Sequence, residues 1–121
     1  MKSVAVVEDN ADNRMLVRAL LAERYDLTEY ASAPEALEGL RRQQPHLVLL
    51  DISLPGMDGV ELLGEIRADP ALRGLPVVAL TAHAMAGDRE RFLAAGFDGY
   101  VSKPIVDEDD LVDAIEAKIH A

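Results

Sequence analysis

The chain contains no cysteine. This excludes a disulfide framework, a thiolate metal site and a cysteine nucleophile, and it agrees with a reducing compartment. Basic residues are scarce: Lys plus Arg number 12 against 22 acidic residues, for a formal net charge of −10. Phosphate backbones and anionic lipid surfaces would meet a repulsive field, so nucleic acid and membrane surfaces are disfavoured as partners. Long apolar runs are also missing. Met1-Lys2 leads into a short apolar stretch that stops at Glu8-Asp9, too brief for a signal peptide. Nothing approaches the ~20 apolar residues that would span a bilayer. No linker, internal repeat or low-complexity tract divides the 121 residues, so one soluble, cytoplasmic domain is expected.

What is present is alternation. Apolar runs stand at Val4 to Val7, Leu27 to Tyr30, Leu47 to Leu50, Val77 to Leu80 and Tyr100-Val101. The first, third and fourth are almost unbroken, which predicts strands covered on both faces. The second is mixed with Asp26, Thr28 and Glu29, as an edge strand would be. Between the runs lie helical patterns. Asn10, Ser32 and Asp58 are predicted N-caps, the last two in capping boxes with Glu35 and Glu61. A fourth helix is predicted from about Met85 to Ala95, ending at Gly96, and a fifth from near Asp107, in an acidic run suited to a helix N-terminus. Five strand–helix units predict an α/β fold, a parallel sheet with helices on both faces.

Ligands of such sheets bind beyond the carboxyl ends of the strands. Glu8 and Asp9 follow the first run, Asp51 the third, Thr81 the fourth and Lys103 the fifth. Three converging carboxylates repel one another, and a hard divalent cation, Mg²⁺ best of all, relieves that repulsion. A hydroxyl and an ammonium beside them suit a phosphoryl group. Together these residues predict a phosphoryl-transfer site. The histidines His46, His83 and His120 show no metal-ligand spacing.

Four segments carry a resemblance along the whole chain: VVEDN at Val6 to Asn10, LLDISLPGMDG at Leu49 to Gly59, ALTAHAM at Ala79 to Met85 and GYVSKPI at Gly99 to Ile105. In this order and spacing the chain resembles a response-regulator receiver domain. Within that family it is most similar to receivers of hybrid histidine kinases and to stand-alone regulators of the DivK type. The resemblance implies a flavodoxin-like receiver fold with strand order 2-1-3-4-5, and a response regulatory domain spanning residues 1–121. It implies that Asp51 is the phosphoacceptor, acting with Thr81 and Lys103. It implies that Glu8, Asp9, Asp51 and the backbone carbonyl of Ser53 hold Mg²⁺, with Mn²⁺ able to substitute. Thr81 and Tyr100 would form the switch, and the Lys103–Pro104 peptide would be cis. Ser53 and His83 would line the pocket rim and set the lifetime of the phosphoryl group.

The implied partners are a histidine kinase or phosphotransfer protein and a downstream target protein, with the chain a monomer or weak dimer. Such a domain phosphorylates and dephosphorylates itself and is not a conventional enzyme. Other classes fare worse. A haloacid-dehalogenase-type phosphatase needs an Asp where Ser53 stands, and a nucleotide binder needs a phosphate loop where Glu8-Asp9 stands. The alternative within the family is a degenerate receiver that binds partners without phosphorylation. No output domain follows the fifth helix, so a natural single-domain regulator and an excised receiver both remain open.

Overall fold

Val4 to Val7 and Leu47 to Leu50 are apolar without alternation because both their faces are covered. The computed structural model describes residues 1–54, 56–82, 88–103 and 108–119, leaving aside the side chains of 88 and 89. In it the elements run β1 (Ser3–Val7), α1 (Ala11–Leu21), β2 (Asp26–Tyr30), α2 (Ala33–Arg42), β3 (Leu47–Asp51), α3 (Gly59–Ala68), β4 (Val77–Thr81), α4 (Asp88–Ala95), β5 (Gly99–Ser102) and α5 (Glu108–Ile119). The five strands form one parallel sheet in the order β2-β1-β3-β4-β5. The expected α/β architecture and strand order are both present. Each strand extends one residue beyond its apolar run, β5 at both ends, since ladder hydrogen bonds are made by the backbone whatever the side chain. The expected helix start at Met85 lies outside the described residues, as does Asp107.

Strand alternation divides the core in two. Ala5, Val7, Val48, Leu50, Val77 and Ala79 face one side, packed with Ala36 and Leu40 of α2, Leu62 and Ile66 of α3 and Phe92 of α4. Val4, Val6, Leu47, Leu49, Val78 and Leu80 face the other, packed with Val17 and Leu21 of α1 and Leu111 and Ile115 of α5. Fully burying one such Leu contributes about 1.5–3 kcal/mol relative to exposure.

The predicted caps form. Asn10 accepts hydrogen bonds from the N–H groups of Asp12 and Asn13, Ser32 from Glu35 and Asp58 from Glu61. Gly96 ends α4 at φ 112°. Its N–H donates to the Leu93 carbonyl and that of Phe97 to the Phe92 carbonyl, the pairing of a Schellman motif. Phe97 then meets Phe92 edge-on at 6.0 Å between ring centroids, the apolar contact that accompanies this cap.

Candidate functional site

Alternation also explains which polar groups meet. Glu8 extends the column Val4-Val6, Asp51 ends the column Leu47-Leu49, and Lys103 lies two residues beyond Val101. All three belong to the α1/α5 face at the carboxyl edge of the sheet. Thr81 ends the column Val77-Ala79 on the opposite face, which Tyr100 shares.

Lys103 Nζ donates to both carboxylate oxygens of Glu8 at 3.1 Å and stands 3.1 Å from Asp51 Oδ2. Asp51 Oδ1 accepts the Ser53 N–H at 3.0 Å. The chain is turned here by close approach: a Cβ on Gly59, the first residue of α3, would lie 2.5 Å from the Asp51 carbonyl oxygen, so only glycine lets the helix start so near. Gly59 N–H in turn donates to the Ile52 carbonyl at 2.9 Å. Glu8 is fully buried and Asp51 is 3% exposed. Asp9 is exposed, yet one carboxylate oxygen from each of Glu8, Asp9 and Asp51 lies within 4.8 Å of the others. The donor set is oxygen only, negatively charged and compact, which suits a hard divalent cation such as Mg²⁺.

Two buried acids facing one ammonium cannot both hold full charge. Burial, and then the neighbouring Asp51 carboxyl, push Glu8 up to about 7, against the pull of Asn13 and Lys103. Burial would raise Asp51 as well. Hydrogen bonds from Glu8, from the Ser53 N–H and from Lys103 outweigh it and hold Asp51 below the ordinary carboxylate value. Burial would lower Lys103, and its two carboxylate partners instead hold it above its ordinary value. Three crowded carboxylates would by charge alone all be expected to rise. Asp51 falls because its hydrogen-bond partners, Glu8 among them, outweigh its burial.

Thr81 is 1% exposed, and its carbonyl accepts the Lys103 N–H at 2.7 Å, so the threonine and the lysine are fixed to each other through the backbone. Tyr100 is half-buried with its ring centroid 6.5 Å from that of Phe92. It pairs with Ala79 in the ladder and Ser102 with Thr81, so Tyr100 sits one side-chain repeat away from the threonine. Pro104, and with it the Lys103–Pro104 peptide, lies outside the described residues, and so does His83. His46 is exposed and structural: its Nδ1 accepts the Ser3 N–H at 2.9 Å.

Two side chains at this site have no counterpart in the sequence reading. Asn13 Nδ2 donates to Glu8 Oε1 at 2.6 Å. Arg14 Nη1 donates to the carbonyl oxygens of Glu8 and Asp9 at 2.7 and 3.1 Å. Both stand in the first turns of α1, where polar residues read as solvated. The one available signal is their position five and six residues after Glu8, where a helix begun at an Asn10 cap turns back over the strand end.

Comparison with known proteins meets this geometry from outside. The family model described as the response regulator receiver domain matches residues 4–116. The polar-differentiation response regulator DivK of Brucella ovis is 45% identical over 105 residues, covering 86% of this chain and 85% of that protein. The receiver domain of a sensor histidine kinase from Pseudomonas aeruginosa, solved with a magnesium ion coordinated in its active site cleft, superposes with a TM-score of 0.89. It is 35% identical and covers 99% of this chain and 98% of that one. A Vibrio cholerae chemotaxis protein shares the fold, with a TM-score of 0.89 at 23% identity over 98% of each chain. A match over nearly the whole chain, in sequence and in fold alike, makes this protein a member of the response regulator receiver domain family of two-component systems.

Proposed function

We propose that the chain is a phosphorylation-dependent switch in which Asp51 accepts a phosphoryl group from the phosphohistidine of a histidine kinase or phosphotransfer protein. The observation that carries this reading is the cluster of Glu8, Asp9 and Asp51 with Lys103 at 3.1 Å from the Asp51 carboxylate. Mg²⁺ would be held by Glu8, Asp9, Asp51 and the Ser53 carbonyl, and when bound it offsets the negative charge shared by nucleophile and donor. A carboxylate oxygen of Asp51 attacks phosphorus, the phosphorus–nitrogen bond breaks, and the departing imidazole takes up a proton. The depressed pKa of Asp51 keeps the nucleophile ionised. Lys103, already against the carboxylate, is positioned to follow the charge onto the new phosphoryl oxygens.

Thr81 and Tyr100 then carry the state to a downstream protein. Thr81 donates its hydroxyl to the phosphoryl group, and Tyr100, on the same face of the sheet, repacks beside it.

The test uses acetyl phosphate as donor, in which the phosphorus–oxygen bond breaks and acetate leaves. Wild-type protein with Mg²⁺ should gain one phosphoryl group by intact mass, and its Tyr100 ring resonances should move. Asp51→Asn should gain none and show no shift. Undiminished modification of Asp51→Asn would assign the phosphate elsewhere. Phosphorylation that leaves Tyr100 unmoved would remove the tyrosine from the switch.

A further inference from the structure

The acid pair Glu8-Asp9 is gripped from an unexpected side. The Glu8 N–H donates to the Tyr30 carbonyl of β2 at 3.0 Å, continuing the ladder by one residue. Its carbonyl accepts from Arg14 at 2.7 Å, and its carboxylate accepts from Asn13 and Lys103. The Glu8 peptide and side chain are thus held at every polar atom. Asp9 differs. Its side chain is exposed, and its carbonyl is held by the same Arg14 nitrogen at 3.1 Å.

The guanidinium is itself anchored. Arg14 Nε lies 3.8 Å from Glu29 Oε1 on β2, and Glu29 receives a two-pronged hydrogen bond from Arg18 at 2.8 and 2.9 Å. Arg14 is 22% exposed, so this is no freely solvated side chain. Its reach is backward across the start of α1, over the turn that carries both acids, and not along the helix to a neighbour one turn away.

Resting on the metal-binding reading above, we propose that Arg14 is a positioning residue for the metal site: by holding the Glu8 and Asp9 carbonyls together it fixes the directions in which the two carboxylates leave the backbone. A peptide unit whose carbonyl is fixed cannot rotate, and the side chains on either side of it keep their aim. Glu8 has other holds, so Asp9 depends on this one most. Groups that orient metal ligands from behind commonly govern metal affinity as strongly as the ligands' own chemistry.

A charge role makes the opposite prediction. A cation placed near the acids repels Mg²⁺, so its removal would tighten metal binding. Arg14→Lys keeps the charge and loses the planar guanidinium whose Nη1 reaches both carbonyls, while Arg14→Met keeps the length and loses both. The experiment is a Mg²⁺ titration of the full chain, read from the amide resonance of Ser53, whose N–H lies on Asp51. Phosphorylation by acetyl phosphate is then followed against Mg²⁺ concentration.

Positioning predicts that half-saturation by Mg²⁺ rises about tenfold in both variants. The phosphorylation rate at saturating Mg²⁺ stays within about twofold of wild type, because Asp51 and Lys103 are untouched. Should Arg14→Met not fold, Arg14→Lys alone carries the test. Half-saturation unchanged in the variants, tighter binding in Arg14→Met, or a fall in the plateau rate alone each overturns the inference. Wild-type protein that does not respond to Mg²⁺ at all overturns the metal-binding reading instead.

Discussion

At the amino end of β4, the Asp98 carboxylate faces one guanidinium, that of Arg67, at 3.0 Å, and accepts the Val77 N–H at 2.8 Å. The other contacts of Arg67 are to carbonyl oxygens of Arg73, Leu75 and Gly96, at 2.7 to 3.0 Å. One charge meets one charge, and the surplus donors hold the turn before β4 and the end of α4. At the carboxyl end of β3 the arrangement is inverted: two buried acids share the Lys103 ammonium, with the Asp9 carboxylate close to both. A single parallel sheet thus keeps a balanced clamp at one edge and an unbalanced cluster at the other. The first edge holds the fold. The second gathers more carboxylates than cations at one point, which suits a site rather than a clamp.

The largest effect should come from breaking the balanced edge. Arg67→Ala leaves three backbone carbonyls and the Asp98 carboxylate without that donor, and should lower stability by about 2–3 kcal/mol in denaturant unfolding. Mg²⁺ half-saturation and phosphorylation should be unaffected at temperatures where the variant is folded. A change in metal affinity would mean that the two edges are coupled through the sheet.

The next effect sharpens the contrast from the other side. Glu8 rises from 4.5 to about 7 on folding, so between those values the folded state binds more protons than the unfolded chain. In EDTA, the stabilisation Glu8 provides is complete below about pH 4.5 and is lost as pH rises through about 7. Glu8→Gln should flatten that decline, as read from urea midpoints between pH 5 and 8. An unchanged pH profile would show that Glu8 keeps no proton in the folded protein.

The smallest effect is the gain from metal. Mg²⁺ at about ten times its Kd should stabilise wild type by about 1.4 kcal/mol, a shift of a few degrees for a domain this size. The comparison is made at fixed ionic strength, so that screening is not taken for binding. Arg67→Ala should keep the shift and Asp51→Asn should lose most of it. A full shift in Asp51→Asn would take Asp51 out of the metal site.

Much of this was legible before any coordinates. β1, β3 and β4 announce themselves because a strand covered on both faces has no reason to alternate. Glu8, Asp51 and Lys103 were legible because charges directly after such strands have one edge of the sheet to occupy. The caps at Asn10, Ser32, Asp58 and Gly96 were legible because short polar side chains and glycine are chosen for backbone reasons. Arg67 and Asp98 were not. They lie 31 residues apart, and nothing in a helical arginine says that its partner is a loop aspartate beyond β4. Arg14 hid for a related reason: it acts on carbonyl oxygens, which every residue carries and no pattern of side chains marks. The separation of Thr81 and Tyr100 from the acids also needed the register, because counting strand ends gives an edge but not a face.

β2 lies at the outer margin of the sheet and carries Asp26, Thr28 and Glu29 within five residues, with Glu29 bound by Arg18. A free strand margin is a template for adding another chain, and acidic side chains along it oppose that. A second copy approaching margin to margin would bring like charges together before its backbone could pair. Acidic side chains along β2 therefore work against a second copy pairing at this margin of the sheet.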